Sequence, residues 1–433
     1  MPFLYNLLFN FAFLLSAPWY FLKMYRRGGW KDGFGERFGL YGPRLKQSLT
    51  NRQTVWFHAV SVGEVNLCTQ LIQAIEHRLP LHTIVVSTTT STGMALLQDR
   101  LPSTIIKLYY PIDRRKHVIR AIGIISPSAV VLVEAEIWPN FLWTLQRRGI
   151  PHFLVNARLS ERSYRGYKRF GFLFRSLFAG FTGVGAQTST DALRLIKLGC
   201  RPETIQMVGS LKFDSARLEA SQLVDIPRLL EQIGVSSDSL VLVAGSTHEG
   251  EEKILADLTL RLKKQFPSLF LVVVPRHQER GTAVGDALHT AGFRFILRKN
   301  ILPKTQIKSG SLDGLIVNTT GELAAFYRRA DVVFVGKSLT AEGGQNPIEP
   351  AALGKAVIFG PNMQNFPEIA PAFVQAGGAI QIADAQELET VIAQLLANPE
   401  RRRSLGLHAL KVVNENQDSI GRTVNMIVHS ISP

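Results

Sequence analysis

Short apolar runs rich in β-branched residues recur along the chain, and stretches of mixed polarity separate them. A run of about four to eight such residues is typical of a strand that is buried on both faces. The intervening segments, among them 67–79 and 93–100, are predicted to be helical. Strands that alternate with helices indicate βαβ units and parallel sheets. The predicted strands form a first series (55–59, 83–87, 104–110, 129–136, 152–155 and 182–186) and a second (240–245, 269–275, 314–318, 331–336 and 356–360).

The two series predict an α/β protein with two doubly wound, Rossmann-like domains. A chain of 433 residues exceeds what one hydrophobic core usually holds. The polar segment 216–238, which contains Pro227 and Gly234, separates the two series and is predicted to be a linker. Two such domains facing each other would hold a ligand in a cleft, at the carboxyl ends of their strands. The predicted divisions are 1–24, 25–215, 216–238, 239–410 and a closing helix over 411–433.

An apolar run begins at Pro2 and precedes the first charged side chain, Lys23. It is about 20 residues long, which is close to the length that a helix needs to span a bilayer. Asn6, Asn10 and Pro18 weaken this pattern.

Aromatic and basic residues end the run. Trp19 and Tyr20 lie where an interfacial aromatic belt would fall. The positive charges behind them predict that the rest of the chain is cytoplasmic, and no clean cleavage site follows the run. We therefore predict an uncleaved membrane anchor over residues 1–24, which either spans the bilayer or lies in its interface; a buried N-terminal helix is the alternative. The basic residues are Lys23, Arg26, Arg27 and Lys31.

The formal net charge of +15 suits nucleic acid, anionic lipid or an anionic substrate, and composition alone does not choose among them. Between 147 and 175, eight Lys or Arg residues stand against one acid, Glu161, and Tyr and Phe are interleaved with them. This basic-aromatic strip fits an acidic lipid headgroup, RNA or a plain solvated helix face. Cys68 and Cys200 show no spacing that indicates zinc or disulfides, which favours a reducing compartment.

Polar and acidic residues follow several strands of the first series. In HAVSVGE (58–64), Ser61 is a candidate helix cap, and Glu64 is either functional or an ordinary first-turn carboxylate. Glu134 and Glu136 end an apolar strand, where a carboxylate is either salt-bridged or functional. Lys212, in GSLKFD, follows a further strand and is either a surface residue or a source of positive charge at the site.

The second series carries glycine turns at its strand ends. AGSTHEGEE (244–252) and PRH (275–277) suit phosphate binding, through a helix N-terminus and through Arg276. TTGE (319–322) and GGQNPIEPA (343–351) follow later strands, although such turns are also common for structural reasons alone. Neither a GxGxxG motif nor a P-loop is present in the sequence.

Taken in order, HxxSxGE, ExEIWPN, NARLSERS, GSLKFD, AGSTHEGEE, VPRH, TGE and GGxNPxE resemble the 3-deoxy-D-manno-octulosonic acid (Kdo) transferases of Gram-negative bacteria. The resemblance covers nearly the whole chain. It implies a GT-B fold and a metal-independent, inverting transfer of Kdo from CMP-Kdo to a lipid A precursor (lipid IVA) in lipopolysaccharide biosynthesis. It also implies a location at the cytoplasmic face of the inner membrane, with no nucleic-acid partner.

The resemblance also implies roles for individual residues. Glu64 matches the general base, and Glu134 and Lys212 match the positions that stabilise the transition state. The sequence has GGQNP and VGKS where some relatives have GGHNP and VGGS, so Gln345 and Lys337 are expected to alter the edge of the donor pocket. The residues that match CMP contacts are Pro275, Arg276, Thr320, Gly321, Glu322, Asn346, Pro347, Ile348 and Glu349.

Two other classes of protein remain as alternatives, a nucleotide-sugar epimerase of the same fold and a basic RNA-binding protein. An epimerase would not need an anchor or the basic-aromatic strip, and an RNA-binding protein would not need three nucleotide turns in the second domain. Nothing in the sequence decides how many Kdo units are added, or in which linkage.

Overall fold

The structure is a computed structural model that describes residues 2–26, 31–214 and 224–431. The chain divides into two units, Met1–Lys212 together with Asp418–Pro433, and Phe213–Gln417. Each unit is built on a sheet of seven parallel strands. The predicted α/β fold with two Rossmann-like domains is therefore confirmed.

In the first unit the strands are β1 (Gln53–His58), β2 (His82–Thr88), β3 (Ile106–Tyr109), β4 (Pro127–Val133), β5 (His152–Ala157), β6 (Gly183–Ala186) and β7 (Ile205–Met207). The helices are α1 (Pro2–Arg26), α2 (Pro43–Leu49), α3 (Val62–Glu76), α4 (Ser91–Arg100), α5 (Arg115–Ile125), α6 (Pro139–Arg147), α7 (Glu161–Arg169), α8 (Gly171–Ala179) and α9 (Ser189–Leu198). The strand order is β3-β2-β1-β4-β5-β6-β7.

Helices cover both faces of this sheet, which is why its strands are apolar throughout. On the central strand β1, Trp56 packs into the core on one face, while Val55 and Phe57 pack into the core on the other. All three side chains are fully buried. The alternation follows from the two-residue period of a strand.

The second unit repeats this architecture with strand order β10-β11-β9-β8-β12-β13-β14. Its strands are β8 (Val241–Thr247), β9 (Phe270–Pro275), β10 (Phe295–Leu297), β11 (Gly314–Ile316), β12 (Val332–Val335), β13 (Ala356–Phe359) and β14 (Ala379–Gln381). Its helices are α10 (Ile226–Gln232), α11 (Glu251–Leu262), α12 (Gly281–Thr290), α13 (Leu323–Arg329), α14 (Ile348–Ala352), α15 (Ile369–Gln375), α16 (Ala385–Ala397) and α17 (Pro399–Glu415).

The segment 216–238, predicted to be a linker, is partly helical. Residues 215–223 lie outside the described part of the chain. From Ile226 onward the segment forms α10, and Ile226 and Leu230 are buried in the core of the second unit. The apolar spacing within α10 thus makes this segment part of a domain.

The chain returns to the first unit at its end. After α17 ends at Glu415, a separate helix, α18 (Ser419–Ile431), begins. Its Ile427 is fully buried in the core that contains β1 and α3, and the Arg422 guanidinium donates to the carbonyl of Val208. The segment 411–433 is therefore the end of one helix and a second helix that completes the first unit.

The N-terminal helix α1 packs against the first unit through its first turns. The Tyr5 hydroxyl donates to Oδ2 of buried Asp113 at 2.9 Å, and the amides of Asn6 and Asn140 bond to each other at 3.0 and 3.1 Å. The Tyr5 ring also meets Trp143 edge to face. The polar residues near the start of α1 therefore face the protein.

The prediction of a transmembrane signal anchor is wrong for the described residues. None of the helices described there combines the length and hydropathy that crossing a bilayer requires. The physical reason lies in Asn6, Asn10 and Pro18, which interrupt the apolar run. Arg27 and the side chains of Tyr20 and Lys23, which also entered that prediction, lie outside the described part.

Candidate active site

The first unit has its topological switch point between β1 and β4. The chain runs from β1 outward through β2 and β3, then returns to β4 on the other side of β1. Ligands of doubly wound proteins bind where the strand order reverses, at the carboxyl ends of the strands. Glu64 follows β1, and Glu134 and Glu136 follow β4. All three candidate carboxylates therefore come after the two strands of the switch point.

Glu64 lies in the first turn of α3 and takes part in capping that helix. Its backbone N–H donates to Ser61 Oγ at 3.2 Å, and the Ser61 hydroxyl donates to Glu64 Oε1 at 2.7 Å. The backbone N–H of Val60 donates to Glu64 Oε2 at 2.9 Å. The carboxylate is partly exposed, so these contacts fix its direction and leave lone pairs for an incoming hydroxyl.

Glu134 has a left-handed backbone, with φ of 63°, which ends β4 at Val133 and turns the chain. Burial raises the pKa of Glu134, and the negative charge of Glu64 raises it further. The positive charges of Lys212 and Arg158 oppose this rise. The charges of Glu64, Lys212 and Arg158 therefore all act on Glu134, which places it within an electrostatic cluster.

Lys212 belongs to the same cluster. Burial lowers the pKa of its ammonium, Glu134 raises it, and Arg158 lowers it. Reciprocal effects on Glu134 and Lys212 mean that the structure brings these two predicted residues together. The positive charge of Lys212 therefore acts on the Glu134 carboxylate, whose pKa Glu64 also affects.

Glu136 is the third carboxylate of the cluster. The Trp138 indole N–H donates to Glu136 Oε2 at 2.6 Å. Burial raises the pKa of Glu136 to about 7, and the charge of Glu64 contributes to the rise. The basic side chain of His58 lies close to it, with Nε2 at 4.0 Å from Glu136 Oε2.

His58 gives Glu136 little support. Burial lowers the pKa of its imidazole to about 3, so the ring is neutral. Its Nδ1 lies 3.1 Å from the carbonyl oxygen of Ser87 and 3.0 Å from the Ser87 hydroxyl oxygen. The buried Nε2 has no hydrogen-bond partner among the described residues, and Glu136 gains no ion pair from the neutral ring.

In the second unit, the four predicted motifs follow four neighbouring strands. β11, β9, β8 and β12 are adjacent and parallel. TGE follows β11, PRH follows β9, AGSTHEGEE ends β8, and GGQNPIEP follows β12. The motifs therefore share one edge of the sheet, at the switch point of this unit.

Pro275 ends β9, and the backbone N–H of the next residue, Arg276, donates to the carbonyl of Thr247 on β8 at 3.0 Å. The Arg276 side chain is exposed. It is consequently available to an anionic ligand at this edge of the sheet.

The TGE turn is held by an arginine that sequence reasoning missed. Arg298 donates from Nε and Nη2 to both carboxylate oxygens of Glu322, at 3.0 and 2.9 Å. Thr319 Oγ1 donates to the same carboxylate at 2.6 Å. Glu322 is largely buried, while Thr320 and Gly321 are exposed, and Gly321 has φ of 83°. Glu322 thus shapes the turn, and its two neighbours face solvent.

The NPIE segment forms the start of α14. Asn346 Nδ2 donates to Glu349 Oε1 at 3.0 Å, and Asn346 Oδ1 accepts from the backbone N–H of Ile348 at 3.0 Å. Pro347 and Ile348 are buried, whereas Asn346 and Glu349 remain partly exposed. The motif therefore presents one amide and one carboxylate in fixed directions.

Glu251 was also missed by sequence reasoning. Its side chain is fully buried and accepts from the backbone N–H groups of Lys337, Ser338 and Leu339 at 2.8–3.0 Å. It also accepts from His248 N at 2.8 Å. This carboxylate ties the loop after β8 to the loop after β12, and so holds two motif loops in place.

Comparison with known proteins agrees with these motifs. The family model described as "3-Deoxy-D-manno-octulosonic-acid transferase (kdotransferase)" matches residues 32–215, and the one described as "Glycosyl transferases group 1" matches residues 315–412. The 3-deoxy-D-manno-octulosonic acid transferase of Haemophilus influenzae is 32% identical over 403 residues, which cover 92% of this chain and 91% of that protein. This chain belongs to the Kdo transferase family.

A second relative and a solved structure extend the comparison. The Kdo transferase of Bordetella pertussis is 34% identical over 404 residues, covering 90% of this chain and 91% of that one. UDP-GlcNAc 2-epimerase from Neisseria meningitidis is 15% identical, with a TM-score of 0.57 and coverage of 88% and 99%. That likeness shows a GT-B-like fold alone, whereas the family membership makes this chain a glycosyltransferase.

The matched residues divide between the two units of this Kdo transferase. The first family match contains Glu64, Glu134 and Lys212, and the second contains the TGE and NPIE motifs. In the first unit, the charges of Glu64 and Lys212 both act on Glu134. In the second unit, the predicted motifs follow adjacent strands. Within the described residues, no three potential metal-binding side chains come together as a ligand set. The individual roles remain predictions.

Proposed function

We propose that this glycosyltransferase moves Kdo from CMP-Kdo to a lipid A precursor, with inversion at the anomeric carbon. The observation that carries the proposal is that Glu64 and Glu134 follow the two strands of the switch point of the first unit, and that the charges of Glu64 and Lys212 both act on Glu134. Family membership, at 32% and 34% identity over at least 90% of the chain, supports the choice of sugar.

The proposed reaction is a single displacement. The acceptor hydroxyl gives its proton to the Glu64 carboxylate while its oxygen forms a bond to the anomeric carbon. The bond from that carbon to the phosphate oxygen breaks, and CMP leaves with the electron pair. A positioned carboxylate base helps because a sugar hydroxyl is a poor nucleophile.

The charges of Glu134 and Lys212 are opposite to the charges that develop on the sugar and on the phosphate in this step. The sugar ring gains positive charge as the bond to CMP breaks, and a nearby carboxylate stabilises that charge. The phosphate gains negative charge, and an ammonium in a partly buried setting stabilises it more strongly than it would in water. We therefore assign stabilisation of the transition state to both residues.

The second unit is proposed to bind the nucleotide of the donor. Arg276 is exposed at the carboxyl edge of the sheet and can pair with phosphate. Glu349, whose Oε1 accepts from Asn346, is proposed to accept the ribose hydroxyls. Thr320 and Gly321 offer exposed backbone groups. Metal independence remains part of the proposal.

The direct test is to incubate the protein with CMP-Kdo and a tetraacylated lipid A precursor, and to weigh the products by mass spectrometry. We expect the lipid to gain the mass of one or more Kdo residues. NMR of the new linkage should show the anomeric configuration opposite to that of the donor. A lipid of unchanged mass would contradict the proposed function, and a retained configuration would contradict the mechanism.

A matched pair of variants tests the base. Glu64→Gln keeps the size of the side chain and one of its two acceptor oxygens but cannot take a proton, whereas Glu76→Gln changes the same residue type at the other end of α3. The two positions lie 12 residues apart on one helix, or roughly 18 Å. Glu76→Gln should transfer Kdo at the wild-type rate, and Glu64→Gln should not.

We further propose that α1 lies in the membrane interface of the bacterial inner membrane, with both units on the cytoplasmic side. Phe11, Leu14 and Leu15 are 66%, 70% and 69% exposed. Exposed apolar side chains in such number on one helix suit an interfacial helix. The exposed basic residues of α7, within the strip 147–175, suit anionic headgroups.

Vesicle sedimentation tests this location. Replacing Phe11, Leu14 and Leu15 with serine leaves the contacts of Tyr5 and Asn6 in place. We expect this variant to bind phosphatidylglycerol vesicles at low salt and to release at high salt, because only screened attraction remains. The control replaces Leu81, Leu193 and Leu407, which are exposed elsewhere. If all three proteins behave alike, α1 does not bind the membrane.

A further inference from the structure

Asn156 lies near the end of β5, which pairs with β4, the strand that Glu134 directly follows. Its side chain is fully buried, and its backbone is left-handed, with φ of 52°. The pairing of β5 with β6 shifts register between Leu154 and Ala157. Irregularities of this kind redirect side chains at the edge of a sheet, and asparagine is among the residues that accept such a backbone.

The Asn156 amide contacts two loops of the proposed active site. Its Nδ2 donates to Glu134 Oε1 at 3.4 Å, and its Oδ1 accepts from the backbone N–H of Leu211 at 3.1 Å. Leu211 directly precedes Lys212. The carbonyl of Asn156 accepts from Gln187 Nε2 at 2.9 Å, which holds the asparagine itself.

An amide is well suited to link these two loops. It supplies one donor for a carboxylate and one acceptor for a backbone N–H. It also carries no charge, so its own protonation state does not change with pH. Because the side chain is buried, water does not compete for either bond.

We propose that Asn156 is a positioning residue for the transfer reaction, whose amide fixes Glu134 relative to the backbone that carries Lys212. The inference rests on the proposed function, since it takes these two residues as those that stabilise the transition state. Asn156 itself does not contact the reacting atoms in this scheme. It acts by keeping a carboxylate and an ammonium at a constant separation.

If Asn156 had only a structural role, its hydrogen bond from the backbone N–H of Leu211 would matter and its contact with Glu134 would not. Asn156→Asp separates the two roles, because aspartate keeps the size, the acceptor for Leu211 and the tolerance for a left-handed backbone. It replaces the donor to Glu134 with a second negative charge. The substitution therefore acts mainly on the contact with Glu134.

The pH dependence of turnover reports on that contact. Glu134 already faces the carboxylates Glu64 and Glu136 and the cations Lys212 and Arg158. A carboxylate at position 156 would raise the pKa of Glu134 further, as like charges do. The acidic limb of the kcat profile should therefore move to higher pH, which a loss of packing alone would not cause.

We expect Asn156→Asp to lower kcat roughly 10- to 100-fold, the range seen when a supporting contact at an active site is lost. The KM for CMP-Kdo should stay unchanged, because nucleotide binding is assigned to the second unit. The control is Asn51→Asp, the same substitution at an exposed asparagine with φ of 60°. Asn51→Asp should match the wild type in both kcat and pH profile.

Folding is checked by thermal melting, and Asn156→Gly serves if the aspartate variant does not fold. Glycine keeps the backbone conformation and removes the donor, so kcat should again fall and the acidic limb should again move to higher pH. Wild-type kcat and pH profile in the folded variant would overturn the role of Asn156. If the wild type itself transfers no Kdo, the proposed function fails and this inference fails with it.

Discussion

Glu136 should make the first unit less stable as pH rises, and replacing it with glutamine should reverse that loss. Its side chain is 18% exposed, the charges of Glu64 and Glu134 act on it, and the neutral His58 offers no compensating charge. Burial raises its pKa from 4.5 to about 7. At about 1.4 kcal/mol per pH unit, this corresponds to roughly 3 kcal/mol of lost stability once the group is ionised.

The direction of the effect follows from linkage. Below the unfolded pKa, near 4.5, the carboxyl is protonated in both states and does not lower the free energy of unfolding. As the pH rises from there, the unfolded state ionises first, and the free energy of unfolding falls until the pH passes about 7. Glutamine does not titrate, and its Oε1 can still accept from Trp138. We therefore expect the advantage of Glu136→Gln over the wild type to be about 2–3 kcal/mol larger at pH 8 than at pH 4.5.

Urea denaturation followed by tryptophan fluorescence measures this difference in the unit concerned. All five tryptophans of the chain lie in residues 1–212, so the signal reports on the first unit. The control is Glu203→Gln, in which an exposed carboxylate of the same unit is removed. If Glu136→Gln gains the same stability at both pH values, or loses stability at pH 8, then the carboxyl is not destabilised by burial.

The remaining predictions concern turnover, the donor, metal and the membrane. Glu64→Gln should abolish transfer while calorimetry still detects CMP binding; retained turnover would refute the base assignment. Arg276→Ala and Glu349→Ala should each raise the KM for CMP-Kdo, and an unchanged KM in both would mean that the second unit is not the nucleotide site. Turnover should survive a strong chelator, and loss that magnesium restores would point to a metal-dependent transferase. Deleting residues 1–24 should leave vesicle binding at low salt but not at high salt, and should lower the melting temperature because the Tyr5 contact with Asp113 is lost.

The sequence predicted the two sheets because their strands are long apolar runs with clear periodicity. It overlooked β10 and β14, which are three residues long and only partly buried. It also extended β4 to Glu136, whereas the strand stops at Val133 because the backbone of Glu134 is left-handed. The pattern of polar and apolar residues does not predict a turn made by the backbone of a single residue.

The motifs identified the proposed active residues, but not what holds them in place. Arg298 reaches Glu322 across 24 positions, and Glu251 reaches the loop at Lys337 across 86. Contacts between residues so far apart in the sequence cannot be predicted from the periodicity of polar and apolar residues. Short-range signals were more informative, since the capping role of Ser61 beside Glu64 could be anticipated from the spacing alone.

The return of α18 to the first unit affects the order in which the protein is made. The ribosome synthesises residues 1–212 first, yet the core of that unit includes Ile427 and Val424. The first unit therefore emerges with an apolar groove still open and cannot close it until more than 200 further residues have been translated. During that interval, the nascent chain exposes surface that chaperones recognise, and any truncation before Ser419 would leave the groove open permanently.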